Sequence, residues 1–191
     1  MYLFFDVETT GKPKNYNAPI SDLENWPRIV QFAWIKFDKQ GKKLSEKSYI
    51  IKPNGFIIPS DSVKIHKITT QRALKKGIPI EKVLKEFSVV IKESNYAIAH
   101  NVDFDYSVIS AEFLRSGIKH DMKKIKKFCT MKSTTDFCKI VNTYGYKYPK
   151  QQELHVKLFH KSYKNAHNAL TDASICAKCF FELKKIGFIK I

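Results

Sequence analysis

The sequence predicts an α/β domain built on a mixed sheet with its first strand in the middle. Three observations lead there. The run from Tyr2 to Thr9 is apolar at both alternating sets of positions until Asp6, as a strand covered on both faces should be. Two more strand-like runs follow, Ile29 to Phe37 and Ser45 to Ile51, and the turn Asp38-Lys39-Gln40-Gly41 between them gives an antiparallel meander. From Ile80 onward, helical and strand-like patterns alternate.

Each element has its own local reason. Residues 12–28 carry Pro13, Asn15, Asn17, Pro19 and Pro27 and read as a long loop. Residues 53–77 read as loop-rich with one short helix. Ile80, Val83, Leu84, Phe87, Val90 and Ile91 fall on one helical face, with Glu81, Lys82, Lys85, Glu86 and Lys92 opposite. That spacing predicts an amphipathic helix with Pro79 in its first turn. Tyr96 to Ala99 is a short buried strand. Residues 103–115 read as a helix closed by Gly117. Lys127 to Met131 suits a sheet edge, where lysines discourage pairing with another chain. Residues 133–142 and 150–160 read as short helices, and 169–186 as a long last helix with Gly187 beyond its end. No repeat, linker or low-complexity segment interrupts the 191 residues, so the expectation is one domain spanning 1–191.

Composition narrows the function classes. Hydrophobic content of 43% with 27% charged residues excludes a disordered chain. No apolar run approaches the ~20 residues of a membrane span. The N-terminus has no basic stretch and Asp6 interrupts its apolar run, so a signal peptide is not expected. The expectation is a cytoplasmic protein with no membrane partner. The four cysteines, Cys129, Cys138, Cys176 and Cys179, include a CxxC spacing. It lies inside the last helix without a second pair, and reads as buried small side chains kept reduced.

The net charge is +16, from 34 Lys+Arg against 18 Asp+Glu. Residues 119–164 hold twelve lysines and three acids, a local excess of nine. Such an excess attracts polyanions. Only Arg28, Arg72 and Arg115 are arginines, and lysine serves phosphate as a point charge instead of reading bases bidentately. The charge therefore suggests sequence-tolerant backbone binding; on charge alone, a solubilising surface is an equal reading.

The chemistry is carried by Asp6, Glu8, Asp105, His167 and Asp172. Side chains two apart on a strand share a face, roughly 7 Å apart, so Asp6 and Glu8 form a repulsive pair that a cation would relieve. Asp105 follows a short strand on the first turn of a helix, where the helix dipole favours a carboxylate; Asp103 reads as the N-cap. Asp172 stands near the start of the last helix, behind Asn168 as N-cap, close to buried surface. A metal or a lysine would serve as its partner. His167 precedes that helix in a loop and, taken singly, is an ordinary polar residue.

Together the motifs Phe5-Asp6-Val7-Glu8-Thr9-Thr10-Gly11, His100-Asn101-x-x-Phe104-Asp105 and His167-x-x-x-x-Asp172 stand in one order. In that order the chain resembles the DEDDh (DnaQ-like) 3′–5′ exonucleases, the group of the proofreading epsilon subunit of bacterial DNA polymerase III. Ile65-His66-Lys67-Ile68-Thr69 resembles that family's Ile-His-Gly-Ile-Thr segment, with Lys67 in place of glycine. The resemblance implies an RNase H-like fold, a five-stranded mixed sheet flanked by helices. It implies that Asp6, Glu8, Asp105 and Asp172 hold two divalent cations and that His167 is the general base. An all-oxygen carboxylate set suits Mg²⁺ or Mn²⁺, and imidazole suits proton transfer near neutral pH. It also implies that the terminal nucleotide rests on Thr9, Thr10 and Gly11, with Ile65, His66 and Ile68 packing against the last bases.

Tyr16 and Trp26 either stack a base or pin their loop to the core. The Lys-rich stretch 119–132 and Tyr144-Gly145-Tyr146-Lys147-Tyr148 either track a phosphate backbone or form a solvated face. The expected activity is release of nucleoside 5′-monophosphates from the 3′ end of DNA, in proofreading or repair. The alternative is trimming of RNA 3′ ends, separated only by the 2′-hydroxyl. Nucleic acid is the expected partner. A DNA polymerase is a further one, although the sequence stops at Ile191 without a tethering extension and favours a stand-alone enzyme.

Overall fold

The computed structural model describes residues 1–191. Its main sheet holds β1 (Tyr2–Thr9), β2 (Ile29–Phe37), β3 (Lys43–Ile50), β4 (Tyr96–Ala99) and β5 (Lys126–Cys129), in spatial order β3-β2-β1-β4-β5. The β1–β2 and β2–β3 pairs are antiparallel, and β1–β4 and β4–β5 are parallel. This is the RNase H-like arrangement. The doubly apolar β1 takes the centre, where helices cover both faces. The lysine-bearing β3 and β5 take the edges, where unpaired backbone groups meet water.

The helices are α1 (Ser60–His66), α2 (Thr70–Lys76), α3 (Ile80–Lys92), α4 (Val102–Arg115), α5 (Thr130–Ser133), α6 (Thr135–Cys138), α7 (Gln151–Phe159) and α8 (Ala169–Lys185). Alternation along β1 sends Leu3, Phe5 and Val7 into a core shared with α3 and α4. Tyr2 and Phe4 point into a second core under α8, with Phe180 and Leu183. The Phe180 ring lies 5.2 Å from that of Tyr2 and 5.3 Å from that of Phe4. Lys184 donates to the Tyr2 hydroxyl at 2.6 Å. The C-terminal end of α8 thus lies over the start of β1, and its N-terminal end over the end of β1. Truncating Phe180 to alanine would open a cavity costing about 3–5 kcal/mol. A third, smaller core of Val30, Ile58, Ile68 and Ala73 sits under α1 and α2. No helix is long and apolar enough to cross a membrane.

Several local expectations are corrected. Residues 53–77 contain two helices, α1 and α2, joined by Lys67 in the left-handed conformation at φ 60°. The lysine therefore adopts the backbone that a glycine would favour there. Residues 133–142 are not one helix. They hold the end of α5, α6, and the first strand of a small hairpin, β6 (Val141–Asn142) and β7 (Gly145–Tyr146). Elements of four and two residues are too short to show a period. Asp103 is not the N-cap of α4: Asn101 holds that position at φ 82°, and Asp103 lies in the first turn, paired with Lys127 and Lys132. The cysteines are free, with Cys138, Cys176 and Cys179 buried.

Candidate active site

Asp6 and Glu8 continue the face of β1 that carries Tyr2 and Phe4, so they emerge where the second core ends and the N-terminus of α8 begins. Asn168 starts that helix by accepting a hydrogen bond from the Thr171 amide at 3.3 Å, which sets Asp172 in the first turn. β4 ends at Ala99, so the β1–β4 ladder stops short of Val7. Asp105 fills the gap: its Oδ1 accepts from the Val7 amide at 3.1 Å. That bond places Asp105 at the strand residue between Asp6 and Glu8. Ligating atoms of Glu8, His167 and Asp172 all lie within 4.8 Å of one another. Asp6 and Asp105 adjoin this group closely enough for their charges to act on each other.

None of the four carboxylates is ion-paired with a lysine or arginine. Burial therefore dominates their titration. It pushes Asp6 well above the usual carboxylate range, helped by Asp105, Asp172 and Glu8. Burial pushes Asp105 well up too, against the Val7 hydrogen bond. Burial and then Asp172 push Glu8 up to about 7. Asp172 is raised by burial, and bonds from the His167 amide at 2.8 Å and the Tyr163 hydroxyl at 3.1 Å partly offset this. Four acids without a protein cation, Asp105 and Asp172 buried and Asp6 and Glu8 partly buried, offer only oxygen and match the preferences of hard divalent ions.

His167 is tied to Asp172 through its backbone amide, while its side chain is exposed on a loop. The backbone bond anchors the root of the ring beside Asp172. His66 is buried: its Nδ1 accepts from the Ile68 amide at 3.1 Å, and its Nε2 has no partner. Burial lowers its pKa, and the Thr9 carbonyl and His167 also act on it, placing it beside the site. Thr9 donates to the Gly11 carbonyl at 2.6 Å, and the Thr10 hydroxyl accepts from the Arg28 amide at 3.0 Å, so the turn after β1 is braced. Of the two isoleucines singled out with His66, Ile65 is exposed and Ile68 lies in the third core with no surface to offer a ligand. Trp26 is 4% exposed and donates to the Pro19 carbonyl, so it pins its loop; Tyr16 stays exposed against Phe104.

Two contacts escaped the sequence reading. Tyr163 bonds Asp172, and the Gln151 side chain donates to the Asp172 carbonyl at 2.7 Å. Tyr163 lies four residues before His167, a proximity that was legible; nothing local marks Gln151. His100, part of the second motif, is a joint. Its Nε2 contacts the Pro149 carbonyl at 2.9 Å and its Nδ1 the Thr130 hydroxyl at 3.1 Å. A carbonyl only accepts, so Nε2 carries the proton. Burial pushes its pKa down to about 4.

Comparison with known proteins agrees with this geometry. The chain is 32% identical over 126 residues to the PolC-type DNA polymerase III of Streptococcus pneumoniae, covering 66% of this chain and 7% of the polymerase. The Streptococcus sanguinis counterpart is 31% identical over 117 residues. The chain thus spans less than a tenth of the length of these relatives. Among solved structures, E. coli exonuclease I in complex with a dA16 oligonucleotide superposes with a TM-score of 0.73 at 20% identity, over 96% of this chain and 40% of that one. Exonuclease X in complex with 5′-overhanging duplex DNA gives a TM-score of 0.64 at 22% identity, over 98% and 93%. These two likenesses concern the fold. The exonuclease family model named for RNase T matches residues 3–180. On that match, together with the ordered carboxylates and histidine, the chain belongs to the DEDDh (DnaQ-like) 3′–5′ exonuclease family.

Proposed function

We propose that this chain is a 3′–5′ exonuclease that hydrolyses DNA from its 3′ end and releases nucleoside 5′-monophosphates, in proofreading or repair. The observation that carries the reading is the convergence of four carboxylates with no protein cation, Asp105 and Asp172 buried and Asp6 and Glu8 partly so, beside an exposed histidine tethered through its backbone. Asp6, Glu8, Asp105 and Asp172 would hold two Mg²⁺ or Mn²⁺ ions. Bound there, the ions would supply an activated water and charge stabilisation for the leaving 3′-oxygen.

The chain's own residues do the rest. Val7 orients Asp105, while Tyr163 and the His167 backbone orient Asp172, so the acids are positioned before any ligand arrives. His167 removes the proton of the attacking water, and its exposed ring releases that proton to solvent. Thr9, Thr10 and Gly11 form the braced turn against which the terminal nucleotide rests, with Ile65 and His66 facing its base. DNA as the substrate is supported by the relatives: a DNA polymerase, and two exonucleases seen with DNA. A polymerase as partner is supported by the PolC likeness alone.

The test is product analysis on 5′-labelled single-stranded DNA and RNA of one sequence, with Mg²⁺, beside Asp6→Ala. The expected outcome is a ladder shortening from the 3′ end of DNA, lost in the variant. A ladder on RNA alone would move the protein to RNA processing, and a ladder that survives Asp6→Ala would refute the site.

A further inference from the structure

The hairpin β6–β7 puts hydrophobic surface into water for no structural gain. Residues 141–146 are all exposed; Tyr144 at the tip is 97% exposed, Val141 73%, and Tyr146 and Tyr148 about half. Only Val141↔Tyr146 and Asn142↔Gly145 are paired, and an isolated two-stranded hairpin is marginal in water. It is nonetheless held. The Asn142 side chain accepts from the Tyr144 amide at 2.9 Å, which sets the turn. The Lys147 amide donates to the Ile140 carbonyl at 2.8 Å, and the Lys147 ammonium is fixed by both oxygens of Glu153. Three aromatic rings held in water within five residues form the kind of exposed patch that marks a binding surface.

Its position and charge say which. Pro149, next in the chain, is bonded by His100 at the mouth of the sheet, and Gln151 is bonded to the Asp172 carbonyl. Tyr148 is three residues from Gln151, a span of at most about 11 Å. The base of the hairpin, at Tyr148, therefore lies near the carboxylate site. Between residues 139 and 150 there are three lysines and no acid; Lys139 and Lys150 are exposed, and their ammonium groups have no acidic partner, although the Lys150 amide donates to Glu153 at 2.7 Å. Aromatic rings at every second position, interleaved with lysine, have the chemistry that stacks unpaired bases and screens their phosphates.

We propose that the hairpin, residues 141–148, is a stacking platform for the unpaired segment of a nucleic-acid strand upstream of the nucleotide being removed. This rests on the exonuclease reading for the polarity of the strand. The platform makes the enzyme prefer a single-stranded 3′ tail long enough to reach the tyrosines, without sequence preference, because every base has a face to stack.

The experiment compares wild type with the triple variant Tyr144→Ala, Tyr146→Ala, Tyr148→Ala. Binding of 5′-fluorescein oligothymidylate is followed by anisotropy with Ca²⁺ in place of Mg²⁺, for a trinucleotide and for a long oligonucleotide. Hydrolysis of the p-nitrophenyl ester of thymidine 5′-phosphate, too short to reach the hairpin, is measured in parallel with Mg²⁺. The triple variant is expected to weaken binding of the long oligonucleotide roughly tenfold or more. Binding of the trinucleotide and turnover of the ester should be unchanged. The matching phenylalanine variant should retain tight binding, since stacking needs the ring and not the hydroxyl. An unchanged affinity for the long oligonucleotide, with the triple variant folded by thermal melting, would overturn the platform and leave the patch to a protein partner. Failure of the wild type to hydrolyse ester or oligonucleotide would overturn the exonuclease reading instead, independently of the affinity ratio.

Discussion

Glu112 and the Asp6–Glu8–Asp105–Asp172 group are both withdrawn from water, but only Glu112 meets a protein cation. Glu112, on α4, is 1% exposed. Its Oε1 accepts from Arg28 Nε at 2.8 Å and the Ile29 amide at 3.2 Å, and lies 3.2 Å from Arg115 Nη1. Arg115 in turn donates to the Leu23 and Trp26 carbonyls, tying down the loop between β1 and β2. Two of the chain's three arginines are committed there. The four site acids receive only backbone amides and the Tyr163 hydroxyl, although 31 lysines surround them on the surface. One buried charge is neutralised by arginine through its Oε1, with Oε2 left unbonded, and it holds structure together. The other has no protein cation, and its self-repulsion is what a bound cation would relieve.

The largest expected effect breaks the member without a protein cation. Asp6→Ala removes one of the proposed cation ligands, and should cost several kcal/mol of transition-state stabilisation, roughly a thousandfold or more in turnover on labelled single-stranded DNA. Without metal, its urea midpoint should not fall, because the variant removes a repulsive charge. His167→Ala should lower turnover roughly 10²–10⁴-fold while leaving divalent-ion binding, followed by calorimetry, nearly intact; equal loss of both would make it a ligand instead of a base.

The arginine-paired member should respond the other way. Glu112→Ala strands Arg28 and Arg115 and should cost about 3–5 kcal/mol in urea unfolding. A loss that matches Asp6→Ala in sign and size would erase the contrast.

His100, a partly buried titratable group whose charged form the fold disfavours, sharpens the comparison. Its folded pKa, about 4, lies below the 6.5 of an unfolded histidine. Between these values the unfolded chain binds the extra proton, so this contribution is complete above pH 6.5 and is lost as pH falls towards 4. The amount is about 3 kcal/mol. The difference in unfolding free energy between wild type and His100→Gln, measured across that window, should change by this much; a flat difference would mean that the imidazole is charged in the fold.

The smallest expected effect belongs to the cation itself. Mg²⁺ at about a hundred times its dissociation constant should stabilise the wild type by about 2.7 kcal/mol, a rise of roughly 5–10 °C in melting temperature. Asp6→Ala should lose most of this rise and Glu112→Gln should keep it.

The sequence by itself determined the sheet and its central strand, because strand alternation is local and sends Asp6 and Glu8 to one face. The α3 stripe and Asn168 as a cap were legible for the same reason. Asp105, Asp172 and His167 were legible only through the order of their motifs and the family those motifs resemble, since each is unremarkable alone. Only the tertiary structure decided which buried acid is neutralised by arginine, since Arg28 and Glu112 are 84 residues apart. It also decided that Trp26 and Ile68 are core, that Tyr163 and Gln151 brace Asp172, and that residues 141–146 form a hairpin. Burial depends on what packs from elsewhere in the chain, and two-residue strands carry no period to read.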